Sequence, residues 1–180
     1  MNLTGSSRLT VHKDFTAALR FLVSYKLTQY NTIDAYRPFD SLTREEASKL
    51  FAQYARNVLC RQPNSNAINY SDIASADETL VPYITQAYQL TLMHGDAVGT
   101  FRPLDTISKQ EFLAVLVRMM LYNYLDETAP QWYVSYEQVG KELSIITQDI
   151  DPLAKGISRH DAALMLFRAY RYQEYDVFDK

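Results

Sequence analysis

The sequence predicts a helical protein built from repeated helix–loop–helix units. Three short segments, 42–46, 107–111 and 157–161, share one pattern: a hydroxyl residue, then a cation, and an acid three places after the hydroxyl. Each of these capping segments opens a run of apolar residues at helical spacing. This internal repeat indicates that one helical unit occurs three times in the chain.

Each capping segment is typical of a capping box, in which the hydroxyl oxygen accepts the third helical amide and the acid reaches back to the cap amide. The predicted pairs are Thr43 with Glu46, Ser108 with Glu111, and Ser158 with Asp161. The aspartate of the third pair has the shorter side chain, so we expect the third box to be the weakest.

Five apolar side chains follow each box on one helical face. They are Ala47, Leu50, Phe51, Tyr54 and Ala55, then Phe112, Val115, Leu116, Met119 and Met120, then Ala162, Met165, Leu166, Ala169 and Tyr170. A second apolar pattern lies upstream of each box and predicts a helix that precedes the capped one, here called the first helix of the unit. Its residues are Phe15, Ala18, Leu19, Leu22 and Val23 in unit one, Ile84, Ala87 and Tyr88 in unit two, and Trp132, Tyr136, Val139 and Leu143 in unit three. We expect units at 10–62, 68–125 and 130–172 that together form one compact domain.

The loops before the first two boxes are also related. Arg37-Pro38 and Arg102-Pro103 each place the proline five residues before the capping hydroxyl, where its fixed φ stiffens the approach to the helix. The third unit has Asp151-Pro152 with neither an aromatic residue nor an arginine. We expect this third loop to differ in shape and chemistry.

In order and content, these motifs resemble a triplet of S-layer homology domains. Unit two matches best, from Tyr70-Ser71-Asp72-Ile73 through Leu92-Met93-His94-Gly95 and Gly99-Thr100-Phe101-Arg102-Pro103 to Ile107. The resemblance implies an all-α fold in which three units surround a pseudo-threefold axis, with a central helical bundle and grooves between units. It also implies a function without catalysis: the family binds anionic secondary cell-wall polysaccharides, often carrying pyruvate ketals, and tethers surface proteins to the bacterial envelope.

In that family, the cation of the capping segment contacts the anionic sugar, and the matching residues here are Arg44, Lys109 and Arg159. A cation in the first helical turn opposes the helix dipole, at a cost of about 0.3–1 kcal/mol when exposed. The arrangement makes sense if helix amides, the capping hydroxyls and a cation converge on a carboxylate. The simpler interpretation is a solvated cation that offsets the capping acid. The hydroxyls concerned are those of Thr43, Ser108 and Ser158.

Arg37, Arg102 and Gly95 complete the candidate ligand-binding set. For the two arginines, the alternative is a surface residue whose stem packs on the neighbouring aromatic ring. Lys109 stands where the family has arginine, so a point charge replaces a bidentate contact. Since the third unit also lacks the Arg-Pro loop, we expect one or two working grooves instead of three.

The chain has 14 tyrosines, 8 phenylalanines and one tryptophan, and core packing is the default role for such side chains. Tyr36, Phe101 and Trp132 are candidate platforms for a sugar. Trp132 begins an apolar stripe, which favours a place in the core.

Composition and motifs argue against several other functions. With 180 residues, 47% of them hydrophobic and 22% charged, the chain is typical of a globular protein. A net charge of −3 without a basic block argues against nucleic acid as a partner. The spacing of His12, His94 and His160 suits neither a metal site nor a catalytic relay, and no cofactor motif is present. We expect the lone Cys60 to be a half-buried small hydrophobe at a helix end.

No run of apolar residues is long enough to span a membrane, and the N-terminus lacks the pattern of a signal peptide. The resemblance implies an extracellular place at the cell surface or wall, with the signal removed or the domain part of a longer chain. Two functions therefore remain open. One is an anchor that binds anionic cell-wall polysaccharide; the other is a protein-interaction module that binds other surface-layer proteins and has degenerate glycan sites.

Overall fold

The computed structural model describes residues 13–121, 125, 127–128, 130–150 and 155–178, with only the backbone described from 174 onward. Within these ranges all regular structure is helical: α1 (Phe15–Ser24), α2 (Ile33–Tyr36), α3 (Arg44–Asn57), a 3-10 turn (Ile73–Ser75), α4 (Val81–Gln89), α5 (Lys109–Leu121), α6 (Val134–Glu142) and α7 (Arg159–Phe178). The predicted all-α fold is confirmed. The expectations for Asp151-Pro152 and His12 lie outside the described residues.

Capping boxes begin α3 and α5 as the sequence predicts. The Glu46 amide donates to Thr43 Oγ1 at 3.3 Å, and the Thr43 amide donates to Glu46 Oε2 at 3.0 Å. The same two bonds join Ser108 and Glu111, at 3.1 and 2.9 Å. At α7 the Asp161 amide donates to Ser158 Oγ at 3.0 Å.

The first helices α1, α4 and α6 all end in the same turn. In each, the residue after the C-cap has a left-handed backbone: Lys26 with φ 58°, Thr91 with φ 58° and Ser144 with φ 55°. The next amide then bonds a carbonyl five residues earlier: Leu27 to Leu22 at 2.7 Å, Leu92 to Ala87 at 2.9 Å and Ile145 to Gly140 at 2.8 Å. This is the Schellman ending of a helix, and it turns a buried apolar residue back onto the core each time.

The predicted apolar faces form the core. All the residues predicted after the boxes are buried except Met120 and Tyr170, which are partly buried against the core. Helix α3 packs on α4, α5 packs on α6, and α7 packs on α1. Each capped helix therefore contacts the first helix of another predicted unit. The long helices α3 and α5 also meet directly, with the Phe51 and Phe112 ring centroids 4.5 Å apart.

The three capping segments meet in a closed ring of backbone hydrogen bonds. The Leu42 amide donates to Ile157 O at 3.0 Å, the Ile157 amide to Ile107 O at 3.1 Å, and the Ile107 amide to Leu42 O at 3.1 Å. All three side chains are buried. The ring therefore brings the starts of α3, α5 and α7 to one centre inside the protein.

Cys60 differs from expectation. It is exposed, and its backbone is left-handed with φ 54°. The chain turns at this residue after α3 ends, which directs the thiol away from the core. Among the described helices, none combines the length and the hydropathy that a crossing of the bilayer would require.

Candidate functional site

The three predicted cations link the capping segments to one another. Each forms an ion pair with the capping acid of a different segment, so that the pairs close a cycle. Arg44 Nη1 lies 3.3 Å from Glu111 Oε1, Lys109 Nζ lies 2.5 Å from Asp161 Oδ2, and Arg159 pairs with Glu46. The sequence pattern did not reveal these partners, because it relates each cation only to the acid of its own box.

The cations of this cycle are largely withdrawn from water. The side chains of Arg44, Lys109 and Arg159 are 8%, 10% and 13% exposed. The interpretation as solvated cations is therefore wrong. The unfavourable position at a helix N-terminus is compensated by an acid from another segment at a short distance.

The first amides of α3 and α7 also have protein acceptors. Those of α3 donate to the loop after Arg102, from Arg44 to Asp105 O at 2.9 Å and from Glu45 to Pro103 O at 3.1 Å. Those of α7 donate to the loop after Arg37, from Arg159 to Asp40 O at 2.8 Å and from His160 to Pro38 O at 2.7 Å. These amides are thus occupied by carbonyl groups, and the Arg-Pro loops cap helices of other segments.

Arg44 is the most fully bonded of the predicted ligand residues. Its Nε donates to Phe101 O at 2.9 Å, its Nη2 donates to His94 O at 3.1 Å, and the guanidinium lies 5.0 Å from the Phe101 ring centroid. Burial lowers the pKa of Arg44, and the nearby Glu111 carboxylate partly offsets this. A guanidinium nevertheless remains charged in proteins. Arg44 therefore holds the loop between α4 and α5 against α3.

Arg37 and Arg102 lie in equivalent, left-handed positions, with φ of 53° and 58°. Both side chains are exposed, which agrees with the surface alternative and leaves them accessible to a ligand. Arg37 Nε lies 3.2 Å from Asp40 Oδ2, whereas Arg102 Nε lies 3.8 Å from Asp96 Oδ2.

Asp72 explains the Ser-Asp motif of the sequence. Its two carboxylate oxygens accept the amides of Phe101 and Arg102, at 2.9 and 2.7 Å. Burial acts to raise the pKa of this carboxyl, but the two amide hydrogen bonds outweigh it and hold the pKa below its usual range. Asp72 thus fixes the backbone that presents Arg102.

Gly95 lies where the chain passes close to two other groups. A Cβ at this position would lie 2.5 Å from Thr100 O and 2.5 Å from Tyr70 Cε1. The Gly95 amide donates to Tyr70 Oη at 3.0 Å. Close packing therefore accounts for this glycine, independently of any ligand.

A cleft of about 420 Å³, here called the first cleft, brings three predicted residues together: Arg44, Gly95 and Arg102. It is also lined by Trp132, a predicted candidate platform for a sugar, and by His94 and Arg118, which the sequence motifs do not indicate as ligand residues. The sequence does contain a signal for Arg118, since it is the one charged residue between Phe112 and Leu121 in α5. The carboxylates that line the first cleft belong to Asp96, Glu111 and Glu127.

A second cleft of about 260 Å³ is lined by Arg159 and Glu46, with Lys49, Tyr30 and Asp77. It corresponds to the first cleft, since both contain a capping cation and the capping acid that it pairs with. Lys109 and Arg37 line neither of these two clefts, and nor do the hydroxyls of Thr43, Ser108 and Ser158.

The aromatic candidates are distributed differently from expectation. Phe101 and Tyr36 are 0% and 2% exposed and belong to the core, so neither ring offers a sugar platform. Trp132, expected in the core, is half-buried and lines the first cleft. The periodic pattern predicted a helix that includes Trp132, but α6 begins at Val134, so Trp132 lies in the turn before the helix.

Comparison with known proteins supports the resemblance. The S-layer homology domain family matches residues 69–113, which include the Asp72, Gly95 and Arg102 motifs and the start of α5. An endoglucanase of Bacillus sp. (strain KSM-635) is 26% identical over 121 residues, covering 63% of this chain. The match spans 13% of the endoglucanase's own length.

S-layer homology domains are anchoring modules of the cell surface and are not catalytic. The short share of the endoglucanase that is matched is consistent with an accessory module of that kind. Residues 69–113 of this chain are therefore similar to an S-layer homology domain.

Proposed function

We propose that this protein is held at the cell envelope by an anionic cell-wall polysaccharide that binds in the clefts between its helical units. The observation that carries the proposal is the first cleft, where the guanidinium groups of Arg44, Arg102 and Arg118 line one open volume. Arginine binds carboxylates in a bidentate manner. A pyruvate ketal or another acidic sugar would present that group.

We also propose that the chain comprises three repeats, at 10–62, 68–125 and 130–172, around a pseudo-threefold axis. Three observations support this arrangement: the ring of backbone hydrogen bonds, the cycle of ion pairs, and the identical endings of α1, α4 and α6. Binding sites for a repetitive polymer would then recur around the axis.

Among these sites, the first cleft is the strongest candidate and the second cleft is next. The second cleft has Arg159 and Lys49 as its cations and is smaller. Lys109 is bonded to a buried carboxylate and lines neither cleft. This supports the expectation of one or two working grooves.

The chain's net charge of −3 gives no general attraction for an acidic polymer, so local cations must provide it. In the first cleft, Arg102 is the most accessible of them, and its ion pairs at 3.8 Å are long. A polymer carboxylate would bind there at little cost in lost internal contacts.

One observation favours the alternative of a protein-interaction module. Arg44, Lys109 and Arg159 already pair with internal carboxylates, as expected if the glycan sites were degenerate and the scaffold served assembly with other surface-layer proteins. The two functions differ in the partner that must be removed to abolish binding.

The test is co-sedimentation of the purified protein with cell walls, before and after chemical stripping of the wall polysaccharide. The informative variant is Arg102→Gln, because the Arg102 side chain is 50% exposed and its ion pairs with the nearby Asp96 and Asp105 are long. Arg20→Gln is the matched control, since Arg20 is an exposed arginine of α1 outside both clefts. Binding that is lost on stripping and weakened only by Arg102→Gln supports the anchor; binding that survives stripping supports the protein partner.

A further inference from the structure

Arg118 is a charged residue in the last turn of α5 that the capping motifs do not explain. Its side chain is only 17% exposed, and it lines the first cleft. Its Nε donates to Tyr136 Oη at 2.9 Å, and the guanidinium lies 5.1 Å from the centre of the Tyr136 ring. These contacts orient the group from the side of α6.

A carboxylate of the chain itself binds this guanidinium. Glu127, in the connection between α5 and α6, pairs with Arg118 Nη2 and also accepts a hydrogen bond from Tyr136 Oη. It lines the first cleft as well and is 36% exposed, about twice as much as Arg118. Arg118 and the buried Tyr136 thus hold a carboxylate that lines the first cleft and is partly exposed.

The equivalent position differs among the three capped helices. Nine residues after the first helical cation, α3 has Gln53 and α7 has Arg168. Arg168 also binds an acid, Asp149, at 2.7 Å, but it lines neither the first nor the second cleft. An arginine is therefore not required at this register for the helix to pack, since Gln53 occupies it in α3.

We propose that Arg118 is a further ligand-contacting residue of the first cleft, and that Glu127 occupies it as an internal competitor until an acidic group of the polymer replaces it. This inference rests on the proposed polysaccharide function. The ligand group that it requires is a carboxylate, because the site already binds one through a guanidinium and a phenol hydroxyl. An acidic sugar would then bridge Arg102 at the cleft rim and Arg118 deeper in the cleft.

If Glu127 competes with the polymer for Arg118, substitutions of the two residues should change wall binding in opposite directions. Arg118→Gln removes the cation and weakens binding to cell walls about tenfold, the size expected for one charge-assisted contact. Glu127→Gln removes the competing charge and tightens binding several-fold. A merely structural ion pair would give the same direction for both variants, because either one breaks it.

The experiment measures binding isotherms to intact and polysaccharide-stripped walls for both variants, with thermal melting to verify folding. Arg168→Gln and Asp149→Asn are the matched controls from the equivalent pair, and we expect them to leave binding unchanged. If Arg118→Gln does not fold, the sign of the Glu127→Gln effect decides.

Unchanged or weaker binding by folded Glu127→Gln overturns the inference, and so does wild-type binding by folded Arg118→Gln. Wild-type protein that binds stripped walls as well as intact ones overturns the proposed function instead. The two failures are therefore distinguishable in one series.

Discussion

Lys109 Nζ lies 2.5 Å from Asp161 Oδ2, so the cation at the start of α5 is bound by the capping acid of α7. Both side chains are nearly buried, and Asp161 also bonds His160 Nδ1 at 2.9 Å. Burial acts to raise the pKa of Asp161, but its bonds to His160 and Lys109 outweigh this and lower the pKa. The pair thus joins two helices that lie far apart in sequence.

We expect Lys109→Gln to destabilise the protein by about 2–4 kcal/mol, since it leaves a buried carboxylate without its cation. Urea denaturation of Lys109→Gln, Asp161→Asn and the double variant measures the effect. The double variant should lose less stability than the sum of the single variants, because the partners interact directly. Additive losses would show that the pair does not couple the helices.

The affinity for cell walls should fall as salt is raised. Exposed charges are screened beyond about 10 Å at 0.1 M salt, and Arg102 is an exposed cation of the first cleft. Co-sedimentation at increasing NaCl concentrations measures this, with Arg102→Gln expected to show a smaller salt dependence than wild type. Binding that is insensitive to salt would point to a largely apolar contact with a protein.

Gly95→Ala should destabilise the protein by about 1–3 kcal/mol, the usual cost of inserting a methyl group into a packed site. The added Cβ would lie 2.5 Å from Thr100 O, a backbone atom that cannot rotate away. Gly99→Ala is the comparison, because a Cβ there meets nothing within 4 Å and is opposed only by the φ of 80°. In thermal melting, Gly95→Ala should have a lower melting temperature than Gly99→Ala. The reverse order would contradict the packing account.

The Arg168–Asp149 pair should make stability depend on acid pH. Burial acts to raise the pKa of Asp149, but hydrogen bonds from Arg168 and Thr147 outweigh it and lower the pKa to about 2. A lowered folded-state pKa stabilises the protein above the ordinary carboxyl pKa of 3.8, and this contribution is lost as pH falls toward 2. Asp149→Asn should remove on the order of 1–2 kcal/mol of this acid-dependent stability.

Urea denaturation between pH 5 and pH 2 provides that measurement. Wild type and Asp149→Asn should differ most at the upper end of this range and converge at the lower end. Parallel curves would mean that the carboxylate is not stabilised by the pair.

The sequence predicted the local features of this protein well. Hydrophobic spacing identified the buried faces of α3, α5 and α7, and the hydroxyl–acid spacing identified the boxes at Thr43 and Ser108. Both signals act within one helix, where the distance along the chain fixes the distance in space.

Contacts between segments could not be predicted in the same way. Arg44 has an acid two residues away in sequence, yet it pairs with Glu111, and spacing alone contains no information on that choice. The turns at Lys26, Thr91 and Ser144 carry no glycine to signal a left-handed residue. Cys60 and Trp132 lie just outside helices, in turns whose course helical spacing does not predict.

The most direct test of an anionic polysaccharide in the first cleft uses Trp132, the single tryptophan of the chain, which lines that cleft. Polysaccharide released from cell walls is titrated into wild type and into Arg102→Gln while tryptophan fluorescence is recorded. The account predicts a saturable change in wild type and a weaker affinity in the variant. No fluorescence change at concentrations that displace the protein from walls, or equal affinities for both proteins, would contradict it.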